Sequence, residues 1–160
     1  MNGLLPALLV AAAFGIASAS ARPAARWIGI AVFVVVAASA ASMTMPGAWS
    51  ERIHLACSIA IVACSASIHF PGARSVRAAI VLAVAAGASG GAVASLAHER
   101  AAIVWIALLA TATCLVARVA VRRVPLAPKI VSSWLIAVAL LAATLQMLPV
   151  TPGYLPDHLE

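Results

Sequence analysis

A chain of 160 residues is long enough for one domain, but 65% of these residues are hydrophobic and only 9% are charged, with a mean hydropathy of +1.13. Soluble domains carry about 25% charged residues, so this chain lacks the polar surface to cover a soluble globule and reads as an integral membrane protein. The net charge of +6 would suggest nucleic acid in a soluble protein. Here the basic residues fall between apolar segments, where they set orientation in a bilayer, and no nucleic-acid partner is expected.

A spanning helix needs about 20 apolar residues. Six stretches qualify: 3–21, 27–45, 53–70, 78–97, 101–117 and 130–148. They are Ala-rich and continuously apolar, without the alternation of a membrane barrel. The predicted fold is therefore all-α: a single polytopic domain, a six-transmembrane-helix bundle of antiparallel hairpins. The first stretch has no Lys or Arg ahead of it, as a cleaved leader would need, so it is expected to be retained.

The second stretch closes on "MTMPG", and the third lies between two similar stops, "PGAWSER" at 46–52 and "PGARSVR" at 71–77. In the fourth, Ala79, Ala83, Gly87, Gly91 and Ser95 recur every four residues. Such a stripe lets another backbone approach closely, either within the bundle or along a homo-oligomer seam. "RVAVRRVPLAPK" at 118–129 is expected to be the longest loop, because Pro125 and Pro128 oppose helix. It would free the sixth stretch to pack away from the fifth, for instance against the first. Cys57, Cys64 and Cys114 lie inside apolar stretches with no C-x-x-C spacing and read as small buried hydrophobes.

Charge sorts by loop. Arg22, Arg26, Arg74, Arg77, Arg118, Arg122, Arg123 and Lys129 fall in or beside odd-numbered loops; Arg52 and Arg100 fall in even-numbered ones, as do Glu51 and Glu99, while Asp157 and Glu160 lie in the tail. The positive-inside rule then puts the odd loops in the cytoplasm and both termini, with the tail 149–160, outside a cytoplasmic (inner) membrane.

No Asp, Glu, Lys, Arg or His lies mid-span, which argues against a proton relay or voltage sensor. Ser58, Ser65, Ser67, Thr111 and Thr113 can line a pore, or bond a carbonyl of their own helix. Polar chemistry gathers on the outer face: Glu51, Arg52 and His54 in one loop, His98, Glu99 and Arg100 in another, and Tyr154, Asp157 and His158 in the tail. Glu with His makes an acid/base pair and Arg holds a phosphate, so these six loop residues are candidates for binding a lipid head group or a lipid-linked ligand. The alternative is that short loops need solvated residues, and that Glu51 and Glu99 suit helix N-termini. Met43, Met45, His54, Cys57 and Met147 form a candidate set for soft metal such as Cu(I). Haem needs two facing axial ligands, which His54 and His98 offer only at the surface, so no cofactor is expected. His69 reads as an interfacial residue beside Arg74.

"MTMPGAWSERIHL" at 43–55 resembles the VanZ-like membrane proteins, in which Asp-Lys-x-x-His opens a helix after a proline turn; Glu-Arg-Ile-His is one residue shorter. The resemblance, over about 28–118, implies an envelope protein of a family linked to glycopeptide tolerance, with Glu51, Arg52 and His54 in the motif's place. Three readings stand: an envelope protein with an outward ligand site, a non-catalytic accessory subunit of a larger membrane complex, and a small-solute or copper permease acting as an oligomer. No stretch names an enzymatic reaction, and the balance is against an enzyme.

Overall fold

Prolines and small residues set the helix limits in the computed structural model, which describes residues 4–70, 75–99 and 101–148. Among the described residues six α-helices follow one another: α1 Leu5–Ala19, α2 Pro23–Ser42, α3 Ser50–Ser67, α4 Val76–Leu96, α5 Ala102–Arg123 and α6 Ala127–Met147, with a 3-10 turn at Gly47–Trp49 before α3. Arg22 is extended, as the residue before a proline prefers, and Pro23 opens α2 where its missing N–H is harmless. Ser75 caps α4 by accepting from the Ala78 N–H at 3.2 Å. No strand occurs among the described residues. Four helices, α2, α4, α5 and α6, are long and apolar enough to cross a membrane. α1 has 15 residues, about 22 Å of helix, and α3 opens on the polar Ser-Glu-Arg.

The fifth connection differs from expectation. Residues 118–123 continue α5, leaving only 124–126 as a loop. Arg, Val and Ala propagate a helix adequately, and the chain turns only where Pro125 forces Val124 out of helical geometry, at φ −138° and ψ 87°. Pro128 sits in the first turn of α6, where proline is tolerated. α6 does pack away from α5, but chiefly against α3, not α1.

The most extensive packing joins non-consecutive helices: α2 with α4, then α1 with α5. Among consecutive helices only α3 and α4 pack broadly, so hairpins of neighbours are not the main unit. α2 and α4 run parallel, since Gly29 lies opposite Ala79, Gly87 opposite Phe33 and Ala37, and Gly91 opposite Ala37 and Ala40. A Cβ on Gly87 would stand 2.8 Å from the Phe33 carbonyl oxygen; one on Gly91 would collide with the carbonyl of Ala37. The four-residue stripe is thus consumed inside the bundle, against α2. α1 and α5 also run parallel, with Gly15 seated on Ala110 and Thr113. α3 and α6 run antiparallel, with Ser58 and Val62 beside Ala139 and Ala143, and His69 reaching Ser132.

These directions alternate along the chain. They bring Arg22, Arg26, Arg77, Arg118, Arg122, Arg123 and Lys129 to one end, and Glu51, Arg52, His54, His98 and Glu99 to the other. Arg74, Arg100 and the tail 149–160 lie outside the described residues.

α1 is the hub. Ala7, Val10, Ala11, Ala13 and Phe14 are buried, and the Phe14 ring stacks on Phe33 of α2 with centroids 4.7 Å apart and planes 10° from parallel. At the basic end Arg26, 6% exposed, donates from Nε to the Ser18 carbonyl at 3.3 Å and from Nη2 to the Ala21 carbonyl at 3.0 Å. It thereby caps the carbonyl-rich terminus of α1, where a cation is favoured. His69 acts as a clasp between two helices. Ser132 Oγ donates its single proton to the Lys129 carbonyl at 2.9 Å, so His69 Nε2–H donates to Ser132 Oγ across 3.1 Å, tying α3 to α6.

Candidate functional site

Four of the five hydroxyls that sequence allows in a pore are turned to their own helices. Ser58 donates to the His54 carbonyl, Ser67 to Cys64, Thr111 to Ala107 and Thr113 to Leu109, at 2.6–3.2 Å. Ser65 Oγ is fully buried and has no partner among the described residues. Cys57 Sγ donates to the Ser89 carbonyl of α4 at 3.6 Å, a packing contact.

At the acidic end the expected polar cluster is divided into three places. The first is the opening turn of α3. Glu51 and Arg52 are exposed there, the Arg52 guanidinium lies 5.5 Å from the centre of the Trp49 ring, and His54 Nδ1 meets the Ser50 carbonyl at 2.6 Å. An Nδ1–H donor is the only way to make that contact with a carbonyl.

The second place is a groove of about 710 Å³ between α1 and α5, lined by Leu4, Leu8, Trp105, Ile106 and Leu109, with Glu99 at its mouth. Trp105 is 66% exposed. The lining is apolar apart from Glu99, so the groove offers a tail environment beside an acidic residue.

The third place is a polar pocket of about 280 Å³ where the ends of α2 and α4 meet, lined by Ser42, Met43, Met45, Ser95 and His98. The parallel packing of α2 and α4 creates it. Ser95 Oγ donates to the Met43 carbonyl, and the Met43 N–H donates to the Ala40 carbonyl at 3.2 Å, so the first turn of the Met-Thr-Met segment is fixed on both sides. α4 ends in a Schellman motif: His98 N–H bonds Ser95 O at 3.1 Å and Glu99 N–H bonds Ala94 O at 3.3 Å. His98 occupies the left-handed position of that motif at φ 54°, where glycine is the usual residue.

Of the sequence-derived ligand set, His98 and Glu99 sit near the end of α4 but face different cavities, and neither cavity includes Glu51, Arg52 or His54. Of the metal set, Met43 and Met45 share one pocket, but His54 and Cys57 are not in it; Met147 ends α6 at 76% exposure. Among the described residues no three of His, Cys, Asp and Glu converge as a metal-holding group. The position of His98 beside the methionines is missed by sequence reasoning. Its one signal is a histidine directly after a small-residue helix, where a terminating glycine is expected.

No protein-family model matches the sequence, and no curated protein or solved structure matches it.

Proposed function

We propose that this chain is a six-span protein of the cytoplasmic membrane, with both termini outside, whose acidic end binds a lipid or lipid-linked ligand. The observation that carries this reading is the α1–α5 groove: apolar walls from Leu4, Leu8, Trp105 and Leu109 under the Glu99 carboxylate. A cleft of several hundred Å³ with few polar groups suits a small amphiphile, and a carboxylate in its lining favours a head group bearing an amine. The gathering of basic residues at the opposite end supports the orientation. On this reading the VanZ-like resemblance at 43–55 marks the outer surface, and Glu51 and Arg52 act as solvated loop residues there.

Lipid retained by the purified full chain, identified by native mass spectrometry, tests the site. Glu99→Gln and Trp105→Ala are expected to lower occupancy at least about tenfold, while Glu51→Gln leaves it unchanged. Equal retention in all four proteins would remove the groove as the site. Orientation has a separate test: a reporter fused after residue 160 is expected to be active only as an extracytoplasmic fusion, and cytoplasmic activity would reverse the assignment.

A further inference from the structure

We infer that Met43, Met45 and His98 form a binding site for a soft monovalent metal ion, Cu(I) or Ag(I), at the acidic end of the bundle. The inference goes beyond the lipid reading, because it rests on a different cavity.

Three observations converge on it. First, the donors share one pocket of about 280 Å³. Met43 leaves the helix in an extended conformation, at φ −80° and ψ 140°, so that Met43 and Met45 both line the pocket, and Pro46 restricts the backbone of Met45. Second, His98 is prepared as a ligand. Its Nδ1 lies 3.0 Å from the Leu96 carbonyl, a contact that requires Nδ1–H, so in the neutral imidazole the lone pair is on Nε2. Metal-binding histidines are commonly oriented in this way by a backbone carbonyl. Third, a histidine stands at the left-handed cap position although glycine would fit with less strain. A histidine side chain stands where the backbone itself asks for none.

The chemistry of the set selects the ion. Two thioethers and an imidazole are soft, neutral donors, suited to Cu(I) and poorly suited to Mg²⁺ or Ca²⁺, which take oxygen. His54, Cys57 and Met147, grouped with the methionines by sequence, are not part of this site. His54, on α3, does not line this pocket, and the Cys57 thiol is committed to Ser89.

The test uses the full chain in detergent, titrated with Ag(I), and with Cu(I) under ascorbate against a chromophoric Cu(I) chelator. Wild type is expected to take one ion per chain from the chelator. Absorption spectroscopy of the Cu(I) form should show both sulfur and nitrogen neighbours. Met43→Leu, Met45→Leu and His98→Gly should each weaken binding at least about tenfold. The leucines conserve volume, and His98→Gly relieves the left-handed backbone, so its melting temperature should hold or rise. Should His98→Gly nevertheless misfold, the two leucine variants decide the question. His54→Gln, Cys57→Ala and Met147→Leu should bind as wild type does. The site is overturned if wild type yields all its metal to the chelator. It is equally overturned if affinity is lost in the Cys57 or His54 variants and kept in those of Met43, Met45 and His98.

Discussion

Gly91→Leu is expected to leave little folded protein in detergent, while Gly90→Ala, one residue away, melts at or above the wild-type temperature. A Cβ at Gly91 collides with the Ala37 carbonyl and comes within 2.8 Å of the Ala40 Cβ; a Cβ at Gly90 meets nothing within 4 Å. The atom in the way at Gly91 is backbone, so no rotamer change relieves the clash. α4 would have to withdraw from α2, and the contacts at Gly87 and the Ser95–Met43 hydrogen bond would go with it. Overpacking costs about 1–3 kcal/mol even where side chains can yield, so about 3 kcal/mol or more is expected here, against a typical total of about 5–15. Alanine at position 90 instead gains the helix propensity that glycine lacks, about 0.5–1 kcal/mol. Thermal melts followed by circular dichroism, with size-exclusion profiles, check both. Equal stability of Gly91→Leu and Gly90→Ala would show that α2 and α4 do not meet as described. The same pair of variants separates internal packing from an oligomer seam, since the effect is expected on folding and not on subunit number.

A chain lacking residues 1–21 is expected not to assemble, and Gly15→Leu in the full-length chain should approach the same outcome. Loss of α1 removes Val10 and Phe14 from the core, leaves the Phe33 ring without its stacking partner, and strips Arg26 of both carbonyl acceptors. Removing one large buried aromatic alone costs about 3–5 kcal/mol. In Gly15→Leu the new side chain meets Thr113 and the Ala110 carbonyl, the latter 2.5 Å from the first added carbon, so α1 and α5 are forced apart. Limited proteolysis and melting in detergent are the measurements. A truncated chain with wild-type protease resistance would refute the central role of α1.

The architecture was legible in the sequence where it depends on transfer to an apolar phase. Apolar runs located all six helices, and the prolines at 23, 46 and 125 lie at their interruptions. Partner choice was less legible. Gly87 and Gly91 say that some backbone comes close, but small residues carry no address, so α2 was not identifiable as the partner. The continuation of α5 through Arg118–Arg123 was hidden because counting apolar residues stops at a charge, whereas helical hydrogen bonding does not. Arg26 was read only as an orienting charge; its burial depends on the carbonyls of α1 folding over it. The acidic end was legible as a surface but not as three separate places, because loop composition does not reveal which cavity a side chain enters. His98 was visible as one polar residue among several, and only the left-handed backbone shows that it holds a glycine's position.

The parallel seating of α1 on α5 has a consequence for synthesis. Gly15 must find Ala110 and Thr113, about 100 residues later in the chain. At translation rates of about 5–20 residues per second, α1 waits about 5–20 s before its partner exists. During that interval its small-residue face is open to lipid or to other helices, and the Phe14–Phe33 stack with α2 is the earliest contact available to hold it. Insertion of helices and their final docking are therefore separated in time, as expected when membrane helices enter first and associate afterwards.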